Sequence, residues 1–287
     1  MTERLAVFGS PIAHSKSPVL HSTAYRHIGV DWEYDSREVG AAELPGALAD
    51  LDDTWRGLSL TMPLKSAAFD LADTRDAIAE LTGAVNTLRF TDTGTGRRLS
   101  GYNTDVTGIL RALATLDVTE AAQVHILGGG STAASAVVAA AELGALNVSI
   151  VTRSPEKSAG LVDLGHRAGL TVELVGFDTI AGLPTPQLVV STLPGGSNAP
   201  VRYPARVMAE SALLDVAYDP WPSALASGWE NAGGTVANGL SMLVHQALVQ
   251  VRIFAFDDPF QPLDDEDAVL AAMLASVGLD NRGIPIA

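Results

Sequence analysis

The sequence predicts an α/β fold with parallel sheets, and three observations lead there. Short β-type apolar runs alternate with helix-period segments from one end of the chain to the other. The stretch LGGGSTAAS at 127–135 sets a glycine cluster between an apolar run and a long alanine-rich segment. A second strand–helix series starts at Gln123, and a long helical segment follows it.

In the first third, strands are expected at 5–8, 32–39, 57–61 and 84–90, with helices at 17–28, 41–51 and 74–81. TDTGTGRR at 91–98 reads as the turn of a hairpin between 87–90 and 98–101. The second series runs strand 124–127, helix 131–143, strand 148–152 and helix 155–168. Strands at 172–175, 188–191 and 213–216 follow, and the series ends near 235–238. This is the rhythm of a doubly wound, Rossmann-type sheet. Helix 239–254 carries an apolar stripe at Leu240, Val244, Ala247, Leu248 and Val251. Met242 and Gln246 share another face of it, toward a cleft. An acidic, proline-bearing linker and one more helix close the chain. The simplest partition is a discontinuous α/β domain, 1–104 and 239–287, with the glycine-loop domain 105–238 inserted into it.

Composition excludes several classes. Asp and Glu number 33 against 18 Lys and Arg, a formal net charge of −15. No basic cluster offers the footprint that a nucleic acid requires. An anionic ligand must therefore meet local positive groups or helix N-termini. Cysteine is absent, which excludes disulfides and thiolate metal sites. The six histidines (His14, His21, His27, His125, His166 and His245) show no ligand spacing, so no metal is expected. No basic segment leads into an apolar run at the start, and the alanine-rich stretch is too short to span a bilayer. The expectation is a soluble cytoplasmic protein without membrane partners.

Gly128-Gly129-Gly130-Ser131-Thr132-Ala133 fits the dinucleotide pattern G-x-G-x-x-[GA], with a strand before it and a helix after. Gly128 permits the tight turn, Gly130 lets the backbone approach a pyrophosphate, and Ala133 suits helix–sheet contact. Where NAD-binding domains end their second strand in a carboxylate, this chain has Thr152-Arg153-Ser154, with Lys157 close behind. A guanidinium suits a 2′-phosphate through bidentate charged hydrogen bonds. The expected cofactor is NADP(H). Glu156, nearby, keeps NAD open as the alternative.

The remaining segments place polar groups in unusual surroundings. Ser15 and Ser17 are two apart, which on an extended segment aims both hydroxyls the same way. Ser17 before Pro18 also reads as an N-cap. Lys65 follows a strand end and a Met-Pro turn, where open α/β sheets bind ligands. Asn86 interrupts an apolar strand, where its amide needs partners. Asp105 stands in the first turn of a helix, where the dipole favours a carboxylate. Singly, each has an ordinary structural role.

In this order, the segments resemble the shikimate dehydrogenase family over nearly the full chain. The serine pair is Ser15 and Ser17; Thr-x-Pro-x-Lys is Thr61, Pro63 and Lys65; Ala-Val-Asn-Thr is residues 84–87; Asn-Thr-Asp is residues 103–105. DVAYDPWPSAL resembles a further family segment and supplies Tyr218. NGLSMLVHQA resembles another and supplies Gly239, Met242 and Gln246. The resemblance implies NADPH-dependent reduction of 3-dehydroshikimate to shikimate on the route to aromatic amino acids; a monomer or homodimer is expected. It implies that Ser15, Ser17, Thr61, Asn86, Asp105, Tyr218 and Gln246 hold the substrate's hydroxyls and carboxylate. It makes Lys65 and Asp105 the catalytic pair and sets Val216, Gly239 and Met242 near the nicotinamide. Elementary chemistry agrees: hydride addition to a ketone builds negative charge on oxygen, which an adjacent ammonium stabilises and protonates.

Four departures from the family pattern stand out. Ser59-Leu60-Thr61 replaces Asn-Val-Thr, and Thr152-Arg153-Ser154 replaces Asn-Arg-Thr. Ser191-Thr192-Leu193-Pro194 replaces an Asn-x-[ST] block, and Gly128–Thr132 reads GGGST where the family reads Gly-Ala-Gly-Gly-Ala. Two other functions fit the same residues: an NAD-preferring quinate/shikimate dehydrogenase, and a silent sensor using the shikimate site. Arg153 argues against the first; the Lys65–Asp105 pair and complete glycine loop argue against the second.

Overall fold

A computed structural model describes residues 2–94 and 96–286. Its contacts divide the chain into two units. Unit 1 holds Met1–Asp105, Leu243–Asn281 and Pro285–Ala287; unit 2 holds Val106–Met242 and Arg282–Ile284.

The first segment of unit 1 runs β1 (Glu3–Gly9), α1 (Ser17–Ile28), β2 (Trp32–Glu38), α2 (Leu44–Ala49), β3 (Trp55–Leu60), α3 (Lys65–Leu71), β4 (Thr74–Arg75), α4 (Ala77–Thr82), β5 (Thr87–Asp92) and β6 (Arg97–Tyr102). They form a six-stranded sheet in the order β2-β1-β3-β5-β6-β4. β1 is parallel to both neighbours, and its Leu5–Gly9 stretch is wholly buried, as a central parallel strand requires. The sheet is mixed, with its antiparallel part beyond β3. β3 meets β5 antiparallel, and β5 and β6 form the expected hairpin. Thr95, inside that turn, lies outside the described residues. Phe8, Leu58, Leu60, Leu64 and Leu88 are the heart of the core. Full burial of each such side chain contributes about 1.5–3 kcal/mol.

Local chemistry explains where this segment departs from its expected boundaries. α1 has Pro18 in its first turn and ends at Gly29, whose φ of +72° closes the helix in the left-handed region. The helix expected at 74–81 starts later, because the Asp76 carboxylate accepts from Ala79 N at 2.7 Å and caps it there. The helix expected at 41–51 splits into a 3₁₀ turn at Ala41–Glu43 and the shorter α2. Residues 84–86 leave the strand: Val85 N donates to the Lys65 carbonyl at 2.9 Å and Asn86 N to that of Tyr102 at 3.0 Å.

Unit 2 begins within α5 (Asp105–Ala114), whose first residue belongs to unit 1. It continues through β7 (Gln123–Leu127), α6 (Ser131–Glu142), β8 (Asn147–Val151), α7 (Gly160–Arg167), β9 (Thr171–Val175), β10 (Leu188–Ser191), α8 (Ala205–Glu210), β11 (Ala212–Asp215), α9 (Ala224–Ala232) and β12 (Thr235–Asn238). The strands are all parallel, in the order β12-β11-β10-β7-β8-β9. The order reverses at β7/β10, the switch point at which such sheets take ligands. The helix expected at 155–168 is a 3₁₀ turn, Pro155–Ser158, followed by α7.

The chain then runs through α10 (Gly239–Phe256) and ends with α11 (Glu266–Ser276), which packs against α1 in unit 1. Among the described residues α10 alone is long and apolar enough to cross a membrane, but most of it is buried inside the protein. Burial extends beyond the expected stripe, to Met242, Val249 and Ile253; Leu240 is only half-buried.

Candidate active site

In unit 1, the β1–α1 and β3–α3 turns leave the same end of two adjacent parallel strands and are bonded together. Thr61 N donates to the Phe8 carbonyl at 3.0 Å and Ser10 N to that of Met62 at 2.9 Å. Gly9 makes this approach possible: a Cβ there would collide with the Thr61 methyl and lie 2.9 Å from Met62 O. Ser15 and Ser17 thus follow β1, while Thr61 and Lys65 follow β3, at the C-terminal end of these two strands.

The serine pair differs in detail from its expected form. Lys16, between the two, has helical angles, so the segment is not extended. α1 starts at Ser17 rather than after it, and the Ser15 hydroxyl accepts from Ser17 N at 3.3 Å. Ser17 is therefore not the cap. Ser17 is buried and Ser15 half-buried.

Lys65 opens α3, after Leu64 N has closed the preceding turn onto the Thr61 carbonyl at 2.8 Å. Its Nζ lies 2.5 Å from Oδ2 of Asp105, whose side chain is 0% exposed against 11% for the lysine. The other carboxylate oxygen accepts from Asn86 Nδ2 at 2.8 Å. Asp105 N donates to Asn103 Oδ1 at 3.0 Å, which fixes the start of α5. Asn86 Oδ1 accepts from Thr104 N at 3.0 Å and from the Thr87 hydroxyl at 2.9 Å. Lys65, Asn86 and Asp105 are thereby one connected group, drawn from three segments of the sequence. An ammonium held by a buried carboxylate, itself held by an amide, is a rigid proton donor and oxyanion partner. Gln246, half-buried on α10, belongs to the same unit.

In unit 2, β7 turns into α6 through the three glycines. Gly128 has a φ of +115°, and a Cβ on it would strike the Thr192 hydroxyl, which donates to the Leu127 carbonyl at 2.9 Å. Gly130 immediately precedes α6, with nothing within 4 Å of where its Cβ would stand. No side chain caps α6. A helix start with no side-chain cap and with open space beside Gly130 suits a pyrophosphate. Ser131 and Thr132 form the first turn of that helix, both half-buried.

β8 ends just before Thr152, which is buried; Arg153 and Lys157 are exposed and Ser154 is half-buried. Val216, after β11, donates to the Ser191 carbonyl at 2.9 Å, and its own carbonyl fills the space a Cβ on Gly239 would need. Val216 and Gly239 thus pack backbone to backbone, and Met242 follows one turn later on α10. Tyr218 lies on the same loop as Val216; burial and then the Asp219 charge push its phenol up, so it remains a hydrogen-bond donor at neutral pH.

Some contributors lacked a sequence signal. Thr87 and Thr104 orient Asn86 from inside recognised motifs, but nothing in the pattern separates them from ordinary threonines. Gln250 reaches this group from α10, and it accepts from Ser59 Oγ at 2.8 Å, where the family pattern has asparagine.

Comparison with known proteins gives consistent results. Residues 7–88 match the model of the shikimate dehydrogenase substrate binding domain. A shikimate dehydrogenase (NADP(+)) of Methanothermobacter thermautotrophicus is 34% identical, over 95% of this chain and 97% of its own. The crystal structure of Mycobacterium tuberculosis shikimate dehydrogenase superposes with a TM-score of 0.80 at 40% identity, covering 95% of this chain and 99% of that one. The Thermus thermophilus enzyme in complex with NADP(H) and shikimate gives a TM-score of 0.78 at 28% identity, covering 96% and 100%.

Proposed function

The chain belongs to the shikimate dehydrogenase family, and from that membership we propose that it catalyses the NADPH-dependent, reversible reduction of 3-dehydroshikimate to shikimate. The observation that carries the proposal is the Lys65 ammonium 2.5 Å from the buried Asp105 carboxylate.

Unit 1 is the substrate domain in this reading. Ser15, Ser17, Thr61, Asn86 and Gln246 hold the substrate's polar groups. Lys65 stabilises the developing negative charge on the carbonyl oxygen and supplies its proton; Asp105 keeps the ammonium aimed. Unit 2 is the cofactor domain. The glycine turn fits a pyrophosphate, with Gly128, Gly129 and Gly130 shaping it and Ser131 and Thr132 adding hydroxyls. Arg153 and Lys157, assisted by Thr152 and Ser154, fit the 2′-phosphate that distinguishes NADP from NAD. Val216, Gly239 and Met242 flank the nicotinamide. When bound, NADPH supplies the hydride. The protein works in the cytoplasm, as a monomer or homodimer, without nucleic-acid or membrane partners.

The test is a matrix of NADP⁺ and NAD⁺ against shikimate and quinate, read as reduced-cofactor absorbance. The expected result is turnover of shikimate with NADP⁺ at a kcat/KM well above that of the other three pairs. Preference for quinate with NAD⁺ selects the rival dehydrogenase, and binding without turnover selects a sensor.

A further inference from the structure

We infer that Gln250 and Thr87 are positioning residues, which lock the Asn86 amide in the orientation that presents its Nδ2 to Asp105. The inference rests on the catalytic reading of Lys65 and Asp105 given above. It concerns the buried side chains behind that pair.

Gln250 is 3% exposed, and its amide is saturated. Its Oε1 lies 3.2 Å from His21 Nε2 and accepts from Ser59 Oγ at 2.8 Å. Its Nε2 donates to the Asn86 carbonyl at 3.2 Å and to Thr87 Oγ1 at 3.0 Å. The carbonyl of Asn86 only accepts, so the NH₂ end of Gln250 must face it. Burial lowers the His21 pKa to about 3, so the ring is neutral at working pH; its Nε2–H faces Gln250 and its Nδ1 accepts from the Tyr25 hydroxyl at 3.1 Å. Tyr34 stacks on the ring at 4.0 Å and holds it in plane.

These polarities propagate. Thr87 Oγ1 accepts from Gln250, so its own proton goes to Asn86 Oδ1, 2.9 Å away. Thr104 N, an obligate donor, meets the same oxygen at 3.0 Å. Two donors on Oδ1 leave Nδ2 facing Asp105 Oδ1 at 2.8 Å, while the other carboxylate oxygen holds Lys65. A continuous row of bonds thus runs Tyr25, His21, Gln250, Thr87, Asn86, Asp105, Lys65. Buried polar chains of this kind rigidify when every member is satisfied.

The test compares full-length wild type, Thr87→Val, Thr87→Ser and Gln250→Met for kcat, KM, NADPH binding and Tm. NADPH titration counts folded sites, so kcat is expressed per competent molecule. Thr87→Val keeps the shape and removes the relay; kcat is expected to fall about 10- to 100-fold, with NADPH affinity unchanged. Thr87→Ser restores the hydroxyl and recovers most of kcat, and Gln250→Met falls in the same direction as Thr87→Val. The inference is overturned if Thr87→Val turns over like wild type, or if Thr87→Ser is as slow as Thr87→Val. If Thr87→Val does not fold, Gln250→Met decides: a wild-type kcat there overturns it equally. Absence of shikimate turnover by wild type itself removes the functional reading instead.

Discussion

A side chain on Gly129 would collide with the Ser158 hydroxyl, and it would also sit 3.0 Å from the Ser158 Cβ and 3.1 Å from Thr152 Oγ1. The middle glycine is thus required by the protein's own packing. The glycine turn and the segment carrying Arg153 are pressed together at this point. Gly129→Ala is expected to cost about 1–3 kcal/mol, as overpacking of a tight contact does. Ser158→Ala in the same chain should recover part of it. Gly130→Ala has open space and should leave Tm unchanged while raising the KM for NADPH. Thermal melts and cofactor kinetics on the four proteins check this; a Gly130→Ala variant that binds NADPH normally removes the pyrophosphate from that turn.

Arg153 is exposed beside half-buried Ser154, within reach of an incoming phosphate. Losing a charge-assisted hydrogen bond costs about 1.5–3 kcal/mol, which is roughly 10- to 100-fold in affinity. Arg153→Ala should therefore raise the KM for NADPH by that factor and leave the KM for NADH nearly unchanged. Equal effects on the two cofactors would remove the 2′-phosphate assignment.

Much of this is legible in the sequence, for reasons that differ between residues. The glycine turn was readable because a glycine cluster between strand and helix has few other uses. The Lys65–Asp105 pair was readable only through the ordered motifs, since the residues are 40 apart and neither is unusual alone. The sequence did not reveal that Ser17 starts α1, because Lys16 takes helical angles that no propensity dictates. α3, α8 and α9 were missed because six to nine residues are too few for a helical period to stand out. Gln250 was hidden for another reason. Like Ser241, His245 and Gln246 on the same helix, it reads as an ordinary polar residue until its four partners, from α1, β3 and the segment entering β5, are seen converging on it.

Buried His125 gives a pH dependence with a definite sign. Its Nδ1 is 2.9 Å from the Tyr203 hydroxyl, and burial lowers its pKa to about 4, against the pull of the Pro184 carbonyl and the Glu173 charge. The unfolded chain, at about 6.5, binds that proton first. His125 therefore supports the fold fully above about pH 6.5, and stability is lost as pH falls toward 4, by up to about 1.4 kcal/mol per unit. His21 acts in the same direction, whereas Asp76, raised by burial to about 6, opposes both. A variant-minus-wild-type difference isolates the histidine. The Tm deficit of His125→Gln should shrink between about pH 7 and about pH 5; a constant deficit contradicts the assigned neutral state.

The strongest test separates what Lys65 does for the fold from what it does for chemistry. Lys65→Met leaves the Asp105 carboxylate fully buried, with only Asn86 Nδ2 opposite, and breaking a buried pair from one side costs about 3–5 kcal/mol. The same change removes the proposed proton donor, so kcat should fall about 100- to 10,000-fold. Adding Asp105→Asn removes the orphaned charge, because replacing both partners of a buried pair with neutral groups is often near neutral for stability. The double variant should therefore regain much of the lost Tm and none of the lost kcat, while binding NADPH like wild type. Recovery of both together would mean that the pair is structural, and the ketone's proton would have to come from another group.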